Sequence, residues 1–305
     1  MSSEPGSRPE KRWSPRRVLA VQLAVVLVIP LILGGLLGWY GLNSPTAEDL
    51  SPVGSESHEL LDSFPDSSLI IEFAYQSSIG PPPSTSVSTL LDRVNETCQK
   101  SSVSVVEHVF ASSESSFSTS DLWSLELSAR QSWPEIGTMS LFYLYLAGGY
   151  RDDSSVIGLA YHGSSIAVFG GAIAAAAGGQ TDAVTTTVLV HEFGHELGLV
   201  GIVGSAPNED PAHPYHSSDP NDVMYWSVDT TAFLSGLLGG HGPSNQFDAA
   251  DLSDLATVRS TPIAQELFPW AALTLCLAVA GVIVILYLRK RKRRATGGPT
   301  VGKSE

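Results

Sequence analysis

Two apolar runs stand near the ends of the chain, Val18–Tyr40 and Phe268–Leu288, and neither contains a charged residue. About 20 apolar residues suffice to cross a bilayer as a helix, so both are predicted as transmembrane helices. Between them the pattern changes to short runs. Ser68–Tyr75 (SLIIEFAY), Val103–Phe110 (VSVVEHVF), Met139–Leu146 (MSLFYLYL), Val156–Tyr161 and Ser165–Phe169 (SIAVF) read as strands, rich in β-branched and aromatic residues and bounded by turn formers. Helices are expected from a cap at Ser84 or Thr85 to about Gln99, within Ser118–Gln131 behind a cap at Ser120, and over Asp248–Val258. The Ala/Gly tract Gly170–Gly179 reads as a flexible connection. Strands that alternate with helices predict an α/β (α+β) fold around a mixed sheet.

Charge orients the two spans. Arg8, Lys11, Arg12, Arg16 and Arg17 precede the first, and the run Arg289–Arg294 (RKRKRR) follows the second. Positive charge stays on the cytoplasmic side. The expected organisation is a cytoplasmic basic tail (1–17), a span (18–40), a polar juxtamembrane stalk (43–67), an extracytoplasmic domain (68–262), a second span (268–288) and a second cytoplasmic tail (289–305). Such a protein crosses the cell membrane twice. A cleaved signal peptide is the alternative for the first run, but no clear cleavage site follows it.

The formal net charge is −14, from 17 Lys and Arg against 31 Asp and Glu. Between the spans the basic residues are Arg93, Lys100, Arg130, Arg151 and Arg259. A domain this acidic is a poor match for nucleic acid, which needs clustered Lys and Arg. The two cysteines, Cys98 and Cys276, exclude a disulfide-rich scaffold and a multi-cysteine metal site. Asn95-Glu96-Thr97 is a glycosylation sequon.

The chemistry concentrates in Thr185–Leu199, which contains His191-Glu192-Phe193-Gly194-His195. On a helix, His191 and His195 lie one turn apart on one face and can reach one cation. Glu192 sits beside them, placed to polarise a water. The apolar approach Val188-Leu189-Val190 and the glycine at 198 describe a buried helix that stops just past the pair.

HExxHxxG (His191, Glu192, His195, Gly198) followed by a methionine in Asp222-Val223-Met224-Tyr225 resembles the metzincin zinc metallopeptidases. The resemblance implies one zinc ion per chain, Glu192 as general base for hydrolysis of a peptide or protein substrate, and Met224 as an apolar floor below the metal. In that family a third histidine follows the glycine by three residues, a position held here by Gly201. His216 is favoured instead, because its spacing to Met224 matches the archaemetzincin branch. Both cysteines of that branch's motif are replaced, by Ser217 and Asp222, and its later cysteine pair is missing, so its second zinc is not expected. His213 is the second choice, with Asp219 or Asp210 behind it. The family also implies an antiparallel edge strand that binds substrate by β-addition, and Ser165, Ile166, Ala167 and Val168 are expected to form it. His58, His108, His162 and His241 lack ligand spacing and read as surface or packed histidines. The departure at Gly201 keeps a second reading open, a cell-surface binding domain on the same scaffold without catalysis.

Overall fold

Five of the apolar runs pair into one sheet. The computed structural model describes residues 51–233, 245–261 and position 281. The predicted spans, apart from position 281, both basic tails, residues 43–50 of the stalk and His241 lie outside the described residues. Among the described residues no helix is long and apolar enough to cross a membrane. Contacts divide the chain into Leu42–Ile263 and a second unit of Met1–Gly41 with Ala264–Glu305; the fold below is that of the first.

The strands are β1 (Ser68–Gln76), β2 (Ser102–Phe110), β3 (Ser116–Phe117), β4 (Thr138–Tyr145), β5 (Gly149–Tyr150), β6 (Gly158–His162), β7 (Ser165–Val168), β8 (Glu209–Asp210) and β9 (His213–Ser217). The main sheet has the order β2-β1-β4-β7-β6. Its first four strands are parallel and β6 runs antiparallel to β7 as the outer strand. β4 sits at the centre and is buried from Met139 to Tyr145, as a strand covered on both faces must be.

The helices are α1 (Ser57–Leu61), α2 (Ser84–Thr97), α3 (Thr119–Ala129), α4 (Gly170–Ala177), α5 (Thr181–Glu196) and α6 (Ala249–Ser260). Leu69, Ile71, Phe73, Leu141 and Tyr143 share a core with Leu90 and Val94 of α2 and Val188, Leu189 and Phe193 of α5. Phe142, Leu144 and Ala167 join Leu122 of α3 in a separate core. On that side a buried ion pair, Arg130 Nη1 to Glu126 Oε1 at 2.6 Å, is satisfied by the hydroxyls of Tyr161 and Ser165, which ties α3 to β6 and β7. A buried pair is tolerated when its remaining valences are filled in this way.

Four expectations change. The segment read as a stalk belongs to the fold from residue 51 onward: Leu60 and Leu61 of α1 are fully buried in the main core. Lys100 Nζ donates to the carbonyls of Glu59, Asp62 and Asp66, the latter two at 2.6 Å. Gly170–Ala177 is a helix, because its alanine run is the best of helix formers and Ile173 anchors it in the core. The cap of α3 is Ser118 instead of Ser120; Ser118 and Asp121 exchange bonds in a capping box. The cap position of α2 is Pro83, with Ser84 as the first helical residue.

The predicted substrate-binding strand is also corrected. Ser165, Ile166, Ala167 and Val168 form β7, which pairs with β4 on one side and β6 on the other and is wholly buried. With both edges taken it has no backbone groups to offer a peptide. The outer antiparallel strand is its neighbour β6.

Candidate metal centre

α5 positions the site. It is buried without a break from Val184 to Glu196, so its two histidines and Glu192 are fixed by packing on all sides. It ends at Gly198, whose φ of +79° carries the chain away; a Cβ there would meet Val203 Cγ2 at 2.7 Å. Gly201, where the family pattern puts its third histidine, also has a positive φ, +82°, and the space of a Cβ is taken by Glu209 Oε2 at 2.8 Å. The chain then runs through the short antiparallel pair β8 and β9, which brings His216 back to α5.

His191, His195 and His216 converge, each offering a ligand atom within 4.8 Å of the others. The rings of His191 and His195 are 4.6 Å apart between centroids, and that of His216 lies 5.3 and 4.9 Å from them. His191 Nδ1 meets the Val223 carbonyl at 2.7 Å and His216 Nδ1 the Pro214 carbonyl at 3.0 Å. A carbonyl only accepts, so both rings carry their proton on Nδ1 and turn an Nε2 lone pair outward. His216 Nε2 is buried with no hydrogen-bond partner, and His191 Nε2 has only His195 Nε2, at 3.1 Å. Burial drives the imidazole pKa of His191 down to about 3, and holds His195 and His216 below the ordinary value as well. Neutral imidazoles with convergent lone pairs are the form that binds zinc. His213 lies apart from this group, stacked on Trp226 at 4.2 Å and bonded to Asp210 at 2.8 Å.

Glu192 faces β6. Its Oε2 accepts the Ala160 N–H at 2.7 Å, while Oε1 is buried without a partner. Burial, reinforced by the charge of Asp229, raises its pKa well above the carboxylate range. Gly158 makes room for it, since a Cβ there would overlap Oε1. Met224 is fully buried against Gly194, directly before His195 in α5, where a Cβ would overlap Met224 Sδ. Ser217 N–H donates to the Met224 carbonyl at 2.8 Å, which couples the strand bearing His216 to the methionine turn.

Three participants were not singled out from sequence. Asp229 Oδ2 is 3.8 Å from His216 Nε2, and the Asp229 carbonyl accepts the Ile157 N–H at 2.7 Å beside the start of β6. Gly158 is one of 28 glycines, and nothing local sets it apart. Glu196 extends the motif as a second fully buried carboxyl with a raised pKa, a signal available in the triplet His195-Glu196-Leu197. Of the remaining histidines, His58 bonds the Val258 carbonyl, His108 pairs with Glu72, and His162 packs on Trp123 and Tyr161, as packed histidines should.

No protein-family model matches the chain, and no curated protein matches it in sequence. Among solved structures it is similar to archaemetzincin from Methanopyrus kandleri, with 16% identity, a TM-score of 0.45, and coverage of 64% of this chain and 97% of that one. It is also similar to metalloproteinase-II from Bacteroides fragilis, with 12% identity, a TM-score of 0.37, and coverage of 75% of this chain and 71% of that one.

Proposed function

We propose that this chain is a membrane-anchored zinc-dependent endopeptidase, with its catalytic domain outside the membrane and both termini in the cytoplasm. The observation that carries the enzymatic part is the convergence of three neutral imidazoles beside a buried carboxyl with a free oxygen. The anchoring part rests on the two uncharged runs and the basic residues that flank them.

The donor set fits zinc: three nitrogen ligands leave a fourth position open, the pattern of catalytic sites. His191, His195 and His216 would hold the zinc ion, which would supply a Lewis acid able to bring the pKa of water from about 15.7 to about 7. Val223 and Pro214 fix the tautomers of two of the ligands through their carbonyls. Glu192 is anchored at Oε2 by Ala160 and keeps Oε1 for the proton of the attacking water, which it passes to the leaving amine. A carboxyl with a raised pKa is suited to holding that proton in transit. Met224 seals the underside of the histidine pair against solvent.

Glu192→Gln keeps the shape of the side chain and removes its basicity. It should leave one zinc per chain while lowering peptide hydrolysis by at least the roughly 10²–10⁴-fold that a general base contributes. His216→Ala should abolish zinc binding under the same conditions, and His213→Ala should not. Metal analysis alongside cleavage of an unstructured protein distinguishes these outcomes. Wild-type turnover by Glu192→Gln would remove the base from the mechanism, and zinc retained by His216→Ala would remove the third ligand.

A further inference from the structure

Two large apolar side chains stand almost wholly in solvent, Phe64 at 85% and Ile136 at 81% exposure; the next among the described residues, Val109, reaches 57%. Apolar residues scattered singly over a surface are ordinary, but these two stand on loops bonded to each other. Ile136 and Gly137 are the corners of a tight turn closed by Glu135 and Thr138, each N–H of that pair donating to the other's carbonyl at 2.9 and 2.8 Å. Gly137, with a φ of +88°, supplies the left-handed residue that the second corner requires. Nothing in the turn requires a large apolar side chain at the first corner. Asp66 Oδ1 accepts the Gly137 N–H at 2.9 Å, and the Gly137 carbonyl accepts the Ser68 N–H at 3.2 Å. Lys100 grips the loop of Phe64 through the carbonyls of Asp62 and Asp66. Fixed backbone therefore presents both side chains at the end of the sheet from which β1, β2 and β4 start.

The chain leaves the domain at this same end. The last turn of α6 is bonded to the loop of Phe64: Arg259 Nε donates to Asp62 Oδ1 at 3.2 Å, and Arg259 Nη2 to the Thr97 carbonyl at the end of α2 at 2.8 Å. Phe268, where the second uncharged run begins, is seven residues beyond Thr261. Seven residues reach about 25 Å at full extension. On the entry side, Ser51 is eleven residues beyond Tyr40. Its carbonyl accepts the Gly163 N–H at 3.0 Å, in the turn that leads into β7. The sequence thus gives both tethers little length, and the exit tether starts beside Phe64.

We infer that Phe64 and Ile136 dip into the interface of the bilayer beside the anchors and fix the tilt of the domain on it. This rests on the membrane-anchored reading given above. A lipid surface is the occupant because the short tether after α6 brings these loops to it. An aromatic and an aliphatic side chain on rigid loops suit the level between headgroups and acyl chains. Charge does not recruit them: Asp62 is paired with Arg259, and the domain has no cluster of Lys and Arg for anionic headgroups. Zwitterionic lipid is therefore sufficient.

The test uses the zinc-loaded full chain with Cys276→Ala, in nanodiscs of phosphatidylcholine. Cys98 is buried, and burial pushes its thiol up to about 11, so it resists labelling. An environment-sensitive fluorophore is attached at Phe64→Cys, at Ile136→Cys or, as control, at Val109→Cys. Val109 lies seven residues along β2 from Ser102, about 23 Å from the end in question. Phosphatidylcholine carrying a doxyl quencher should quench the label at 64 and 136 several times more than at 109, and aqueous iodide several times less. Iodide quenching at 64 and 136 equal to that at 109 overturns the inference. Shielding from iodide without quenching by the doxyl lipid also overturns it, since protein would then cover the pair. Alkaline extraction of membranes from expressing cells reads the anchor separately. A chain released there loses the anchored reading and the docking with it, whereas a chain retained there with iodide-accessible loops loses the docking alone.

Discussion

Asp229 shows how one side chain can join two parts of a site. Its carbonyl holds the start of β6, and its carboxylate lies 3.8 Å from His216 with Oδ1 unpartnered. Burial, with a smaller push from Asp153, lifts its carboxyl pKa to about 7. The folded state therefore holds this proton more tightly than the unfolded chain, whose aspartates titrate near 3.9. The stabilisation is complete below about pH 4 and is lost as pH rises towards 7. In metal-free protein, wild type should lose up to roughly 4 kcal/mol relative to Asp229→Asn across that window. Urea unfolding in chelator at several pH values measures the difference, and a flat difference would show that Asp229 titrates as it does in the unfolded chain. At this scale the sequence was readable where spacing is local. His191, Glu192 and His195 sit within five residues, so helix geometry alone brings them together. Asp229 reaches them only through tertiary packing, and no local pattern reports that.

The same divide appears among the elements. Strands β1 and β4 were legible because a buried parallel strand is a continuous apolar run, and β2, a half-exposed edge strand, because its β-branched residues mark it. The roles of β6 and β7 were exchanged, because period-two patterning reveals a strand but not which neighbours it pairs with. β6 is the element that shapes the site from the side opposite α5, through Ala160 N–H and the missing side chain of Gly158. Gly158→Ala should push Glu192 Oε1 from its place while leaving the three histidines untouched. Displacements near 1 Å cost about 10²-fold in rate. The expected result is that loss in kcat/KM at unchanged zinc content; wild-type kcat/KM would mean that Glu192 relaxes freely. His216 was favoured by its spacing to Met224, and β9, which contains Pro214 and could not be read as a strand, brings its ring beside those of His191 and His195.

For the molecule as a whole, the decisive boundary is at the N-terminal end of the domain. A polar segment rich in Ser and Pro reads as a tether, yet two adjacent leucines within it supply core contacts. Their burial, and the carbonyls of Glu59, Asp62 and Asp66 gathered around Lys100, make α1 part of the fold that supports α2 and α6. Removal of one buried leucine side chain costs about 2–5 kcal/mol, and whole domains are stable by only about 5–15 kcal/mol. A chain that begins at residue 68 should therefore fail to fold, whereas one spanning 42–263 should unfold cooperatively and bind zinc. Circular dichroism melts of the two fragments decide the matter. If the shorter fragment melted at the temperature of the longer one, the leucines at 60 and 61 would be dispensable and the tether reading would return. The single-site variant Leu60→Ala gives an intermediate measure, with a loss in the same 2–5 kcal/mol range if the contact is as tight as its burial indicates.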